Sequence, residues 1–236
     1  MTCILLTGSS RGIGAAARTT LEARGARVVG HASASNTADT VRADLSDTGS
    51  ARRLWDEALD RADGAIDVLV NNAGLFEANP LETSDDDWLD SWAKTLQINL
   101  TAAAQLSRLA VQHWLSRGAR GRIVHVASRA GHRGDSPQHW HYAAAKGGML
   151  AMHKTIARGY AKDGILSFAI TPGFTDTAMA GDYLVSRGGP GLLADIPLGR
   201  VAQPQEIAEM IAWCALDAPP SMTGATLDAN GASYVR

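Results

Sequence analysis

Short apolar runs bounded by turn residues alternate along this chain with longer amphipathic segments, and no other feature restricts the fold as much. The runs lie at Cys3–Leu6, Ala26–Val29, Ile66–Val70, Arg122–Ala127, Leu166–Ile170 and Ala225–Leu227. Between most of them, Gly12–Arg24, Ser50–Ala62, Asp85–Leu115, Tyr142–Ala161 and Pro204–Leu216 carry apolar residues at helical spacing. The runs are continuously apolar, as strands are when helices cover both faces of their sheet. Strand alternating with helix further implies that the sheet is parallel.

The expected fold is therefore α/β: one doubly wound Rossmann domain over residues 1–236, with about seven parallel strands and helices on both faces. A chain of 236 residues with 45% hydrophobic composition can bury one such core. The second strand, Arg27–His31, is followed by only a short polar stretch before an extended Thr40–Ala43, so the usual crossover helix there is truncated or missing. The Gly/Pro-rich segment late in the chain is read as a substrate loop spanning 178–200, with an ordinary connector as the alternative.

The formal net charge of -2 and the absence of a Lys/Arg block give no broad basic field, which argues against a nucleic-acid partner. Cys3 and Cys214 stand far apart, outside any metal-ligand or redox spacing, so they read as reduced thiols and no metal is expected. No apolar stretch is long enough to span a bilayer, and the N-terminus lacks a signal-peptide pattern. The expectation is a cytoplasmic protein with no membrane partner. Asp85, Asp86 and Asp87 suit the start of a helix, where carboxylates complement the positive end of the dipole.

Chemistry enters at Thr7-Gly-Ser-Ser-Arg-Gly-Ile-Gly14, which follows the first strand and opens the first helix. Glycines at 8, 12 and 14 allow a ligand close to the backbone, and the unpaired N–H groups of a helix start suit a pyrophosphate. Such glycines also serve tight turns for steric reasons alone. An NAD enzyme places Asp or Glu at the end of the second strand for the ribose 2′-hydroxyl; here the strand ends Gly30-His31-Ala32-Ser33. No carboxylate excludes a 2′-phosphate. Arg11 in the glycine turn has the charge to pair with that phosphate, and Ser33 the hydroxyl to bond it. NADP(H) is favoured over NAD(H), the alternative being that Arg11 is an ordinary surface arginine.

Tyr142 and Lys146 lie one helical turn apart on one face. A nearby ammonium lowers the proton affinity of a phenol, so this pair reads as a proton donor and acceptor whose tyrosine is held acidic.

The glycine spacing resembles that of the short-chain dehydrogenase/reductase family, and the resemblance extends along the chain. Asn71-Asn72-Ala73-Gly74 is similar to the family's motif after the fourth strand, and Asp44-Leu45 stands where the family places an adenine-contacting aspartate. Ser128 ends the fifth strand, Tyr142-Ala-Ala-Ala-Lys146 matches Tyr-x-x-x-Lys, and Asn99 sits in a helix as the family's catalytic asparagine does. Pro172, Gly173, Thr175 and Thr177 match its nicotinamide-side loop, and the C-terminal motifs are similar to the bacterial 3-oxoacyl-carrier-protein reductase branch.

The resemblance implies a catalytic set of Asn99, Ser128, Tyr142 and Lys146. It implies a cofactor site made of Gly8, Ser10, Arg11, Gly12, Ile13, Gly14, Ser33, Asp44, Leu45, Asn72, Ala73, Gly74, Tyr142, Lys146, Pro172, Gly173, Thr175 and Thr177. The implied reaction is NADP(H)-dependent hydride transfer with a small carbonyl or secondary alcohol substrate, including 3-oxoacyl thioesters, in a homo-oligomer, a tetramer or dimer. An NAD-dependent alcohol dehydrogenase and a non-catalytic NADP-binding sensor are the alternatives. Ala127 replaces a frequent serine, and the Ser128-to-Tyr142 segment is one residue longer than in the reductase branch. Within it His132, Arg133, His139, Trp140 and His141 either favour an anionic or aromatic substrate or are merely solvated.

Overall fold

The computed structural model describes residues 1–34, 37–177 and 189–236. Strands β1 (Cys3–Leu6), β2 (Arg27–Ala32), β3 (Thr40–Arg42), β4 (Val68–Asn71), β5 (Gly121–Val126), β6 (Ile165–Pro172) and β7 (Thr226–Ala229) form one sheet. Every ladder is parallel, in the order β3-β2-β1-β4-β5-β6-β7. The main helices are α1 (Gly12–Ala23), α2 (Ser50–Arg61), α3 (Asp85–Leu96), α4 (Ala102–Arg117), α5 (Trp140–Tyr160) and α6 (Pro204–Leu216). This is the expected doubly wound α/β architecture.

The continuous apolar runs have the reason assigned to them. Along β1, Cys3 and Leu5 join a core with Leu54 and Trp55 of α2 and Leu106 and Ala110 of α4. Ile4 and Leu6 join the opposite core with Leu21 of α1 and Ile207 and Ile211 of α6. Each fully buried Leu or Ile contributes about 2 kcal/mol relative to exposure, so a polar residue on either face would be costly. Trp114 of α4 donates its indole N–H to the Ile66 carbonyl (2.7 Å) and packs flat against Gly121, where any side chain would overlap the ring.

None of the described residues between β2 and β3 is helical, in agreement with the missing crossover helix. Ser84 caps α3 by accepting the Asp87 N–H, and the three acidic residues occupy the first turn, as expected. One expectation needs correction. The segment Asp85–Leu115 is not one regular helix: a π turn, Gln97–Thr101, separates α3 from α4. Such a turn takes up about one extra residue within a long amphipathic segment and has no residue signature of its own, so the segment reads as one helix. Of the expected 178–200 substrate loop, 178–188 lie outside the described residues. In the remainder, Gly189–Ala194 is helical, Ile196 is buried, and the Leu198 N–H donates to the Gly231 carbonyl (3.1 Å).

The topology positions the site. The chain leaves β1 toward β2 on one side and returns at β4 on the other, so the connections diverge above the carboxyl ends of these two strands, where open α/β sheets form their crevice.

Candidate active site

A cleft of about 600 Å³ opens at that switch point. Its floor is the Thr7–Gly14 turn. Thr7 is held by both neighbours: its hydroxyl donates to the Val70 carbonyl (3.2 Å) and accepts the N–H groups of Asn72 (2.9 Å) and Ala73 (3.0 Å). The Asn72 amide donates to the carbonyls of Thr7 (3.0 Å) and Gly8 (3.1 Å), tying the β4 motif to the glycine turn. Gly14 has no room for a side chain, since a Cβ there would stand 2.0 Å from the Gly8 carbonyl oxygen. Thr177 packs on Gly12, where a Cβ would come 3.1 Å from its methyl group.

Helix α1 begins at Gly12 with Arg11 as its N-cap, no side-chain capping bond and no acidic residue in its first turn. That start faces the cleft. Its positive end and the close-fitting glycines provide a cradle for phosphate groups. Arg11 and Ser33, both exposed, line the cleft, and Asp44 lines it with a carboxylate held below its usual range by the N–H and hydroxyl of Ser46. Every residue expected on the cofactor side lines this one cleft.

Ser128, Tyr142 and Lys146 line it as well. The Ser128 hydroxyl hydrogen-bonds the Tyr142 phenol and accepts the Ala130 N–H (3.1 Å). The Tyr142 ring meets the edge of Phe76 with centroids 4.8 Å apart. Asn99 does not line the cleft: it is fully buried in the π turn, its side-chain oxygen accepting the Leu75 N–H and its amide donating to the Leu75 carbonyl, both at 2.9 Å. It clamps the loop behind Gly74, whose Cβ position lies 2.9 Å from Asn99 Oδ1 and 3.7 Å from Lys146 Nζ.

The electrostatics differ from expectation. Lys146 does not hold the phenol acidic: burial pushes Tyr142 up to about 12, against a smaller lowering by Ser128. The Lys146 ammonium lies 5.7 Å from the ring centre and donates to the Val126 carbonyl (2.9 Å), and burial lowers it to about 8. Loss of water around both groups outweighs one attraction at that separation.

The lowering of Lys146 has a measurable consequence. Unfolded, it titrates near 10.5; folded, at about 8. Between these values the unfolded chain binds the extra proton, so the burden this group places on stability is full below pH 8 and fades as pH rises. The difference in unfolding free energy between Lys146→Met and the native chain should therefore shift by about 3 kcal/mol between pH 7 and pH 11. Urea denaturation across that range reads it, and a pH-independent difference would contradict the burial.

Sequence reasoning missed several residues. His31, at the end of β2, accepts the Gly8 N–H on Nδ1 (3.1 Å), and its Nε2 meets the Ala43 carbonyl (3.0 Å), so one neutral imidazole links the glycine turn to the β3 end. Its two partners, Gly8 and Ala43, lie on separate segments, which leaves no local pattern to read. Phe76, Arg129, Asp135 and Phe174 complete the wall. Of the five residues marked in the longer segment, none lines the cleft. His132 stacks on Tyr234, Arg133 donates to the Ser233 carbonyl, and exposed Trp140 packs edge-on against Trp88. His139 is buried and stacks on Phe76 with centroids 4.1 Å apart. Among the described residues no helix is long and apolar enough to cross a membrane.

Comparison with known proteins agrees with this geometry. Residues 8–231 match the family model described as enoyl-(acyl carrier protein) reductase. The chain is 37% identical to the 3-oxoacyl-(acyl-carrier-protein) reductase FabG of Escherichia coli over 98% of its length and 96% of that protein's. It is 34% identical to the corresponding reductase of Pseudomonas aeruginosa, again over 98% and 96%. A solved structure from Agrobacterium tumefaciens, described as a 2-deoxy-D-gluconate 3-dehydrogenase with bound NADP, superposes with a TM-score of 0.85. That structure is 28% identical, with 98% of this chain and 95% of the other covered. With the sheet order, the glycine turn and a match running nearly end to end, the chain belongs to the short-chain dehydrogenase/reductase family of oxidoreductases.

Proposed function

We propose that this chain is an NADP(H)-dependent oxidoreductase that interconverts a 3-oxo compound and the matching secondary alcohol, with Ser128, Tyr142 and Lys146 acting on the substrate oxygen. The observation that carries the reading is a single cleft in which the Ser128–Tyr142 hydroxyl pair and the glycine turn face the same space. The names of two of the compared proteins support the substrate position: one is named a 3-oxoacyl reductase, and the other is described as a 3-dehydrogenase of a sugar acid. The acyl thioester is the first candidate and the free acid the second.

The donors present fit a dinucleotide phosphate: an uncapped helix start, glycines without room for side chains, and Arg11 beside a strand end free of carboxylates. When bound, the nicotinamide supplies or accepts the hydride. Tyr142, protonated at neutral pH, gives its proton to the oxygen as negative charge develops there, and Ser128 donates a second hydrogen bond to that oxygen. Lys146 brings positive charge to the phenol side of the cleft, and Asn99 holds the Leu75 backbone that forms its rim. Assembly into a dimer or tetramer and a cytoplasmic location belong to the same proposal; sedimentation tests the first.

Oxidation of NADPH with 3-oxo substrates, followed by absorbance, tests the reading. Arg11→Glu should raise KM for NADPH about 100-fold while changing that for NADH far less, because it replaces a phosphate partner with a like charge. Equal effects on both nucleotides would remove the assignment of Arg11.

A further inference from the structure

His31 grips the start of the glycine turn through both its ring and its backbone. The ring accepts the Gly8 N–H on Nδ1 (3.1 Å), and the His31 carbonyl accepts the Ser9 N–H (2.9 Å) and the Ser9 hydroxyl (3.2 Å). On the other side, Nε2 meets the Ala43 carbonyl (3.0 Å), one residue before Asp44. The residue is only 3% exposed, yet it lines the cleft. A backbone N–H can only donate and a backbone carbonyl can only accept. The two ring bonds therefore admit one state, a neutral imidazole with Nδ1 bare and Nε2 protonated.

We infer that His31 is a positioning residue for the nucleotide: its bare Nδ1 fixes the Gly8 peptide and so the shape of the phosphate cradle, and a proton on that nitrogen weakens nucleotide binding. The inference rests on the NADP(H) part of the reading above and goes beyond it. Gly8 has a φ of 67° and so little clearance that a Cβ on it would stand 2.9 Å from the Ala73 Cα. Its carbonyl oxygen is the atom that leaves Gly14 no room for a side chain, so a tilt of the Gly8 peptide is passed on to the start of α1. A proton on Nδ1 would set N–H against N–H in a buried contact, losing the bond and leaving both donors unsatisfied. The charged groups on the surrounding elements are Arg11 in the turn, Arg18 on α1, which donates to Thr40 (2.9 Å), Arg42 on β3 and Asp44 after it. Cys3 of β1 pairs beside Arg27, at the far end of β2, and the residues that α2 buries, Ser50, Ala51, Leu54, Trp55 and Ala58, carry no charge. None of these governs the imidazole: burial lowers its proton affinity, against a smaller raising by the Ala43 carbonyl. A phosphate charge would favour the imidazolium, but it acts through the solvent of an open cleft, whereas the Gly8 contact is direct.

The test is calorimetric titration of the full chain with NADP+, native and in three variants. His31→Leu removes acceptor and donor, His31→Asn keeps an acceptor at the Nδ1 position, and His31→Gln keeps only a donor near the Nε2 position. At pH 8 the Leu variant should bind NADP+ about 100-fold more weakly than the native chain; Asn should recover about 10-fold of that loss and Gln less than about threefold. Between pH 8 and pH 5 the native chain should lose about threefold more affinity than the Asn variant. Protonation of the nucleotide's own 2′-phosphate is common to both and cancels. Long-range proton–nitrogen NMR of the chain without nucleotide should show His31 with Nδ1 bare and Nε2 protonated at pH 8. Circular dichroism establishes that the variants fold. Equal recovery by Asn and Gln, native-like binding by Leu, or a proton on Nδ1 at pH 8 overturns the role of His31 alone. A folded native chain that binds no NADP+ overturns the nucleotide assignment along with it. Where the variants do not fold, the native chain decides. A bare Nδ1 with affinity falling as that nitrogen takes up its proton upholds the inference, and the absence of either overturns it.

Discussion

Tyr142→Phe is expected to lower kcat for carbonyl reduction by about 1000-fold while leaving NADPH affinity unchanged. The substitution removes only the hydroxyl. The ring keeps its edge contact with Phe76, and nothing in the glycine turn depends on the phenol. With its proton affinity pushed up to about 12, the phenol is fully protonated at neutral pH, the state a donor to a forming alkoxide needs. Ser128 retains its hydrogen bond to the substrate oxygen, so residual turnover should persist above the uncatalysed rate. NADPH absorbance gives the rate and fluorescence titration the affinity. Activity within a few-fold of the native chain would mean that the tyrosine only packs. Parallel loss of affinity would mean that it builds the nucleotide site and does not act on the substrate.

The second large effect is expected at Gly14. A Cβ there would stand 2.0 Å from the Gly8 oxygen, 2.8 Å from the Gly8 carbonyl carbon and 2.6 Å from Asn72 Nδ2. Two of these are backbone atoms, and Gly8 cannot retreat: its N–H is bound to His31 and its carbonyl to the Asn72 amide. Gly14→Ala should therefore cost about 3 kcal/mol of stability and weaken NADPH binding about 100-fold, because it pushes apart the turn that cradles the phosphates. Gly25→Ala is the contrast. Gly25 has a positive φ of 80° but open space around its Cβ position, so it carries only local strain of about 1 kcal/mol and should bind NADPH normally. Urea denaturation and fluorescence titration separate the two. Equal NADPH binding by both variants would show that the turn is not the phosphate cradle.

Much of this organisation was legible before any coordinates. The strand positions followed from runs such as Cys3–Leu6, which must be apolar at every residue because β1 has a core on each face. The cofactor-side residues converge on one cleft because they sit at strand ends and in the turns that follow, and a parallel sheet brings such ends to one edge. The Tyr142–Lys146 spacing correctly put both side chains into that cleft but misjudged their charge. One helical turn fixes direction, whereas proton affinity depends on how much water surrounding segments exclude. Asn99 was placed in a helix, yet the helix widens there into a π turn and its side chain is spent on Leu75.

The order of residue types along the chain was sufficient for the layers and for the glycine turn, because each rests on periodicity or on short-range turn chemistry, while the wider list of cleft residues came from the resemblance to the family. Tertiary packing alone decided that His31 braces the glycine turn, that Arg129 lies buried over Phe174 beside the reactive hydroxyls, and that the histidines of the longer segment face elsewhere. These contacts join segments far apart in sequence. Their energies come from desolvation and close approach between elements, and neither has a local signature in the residues on either side.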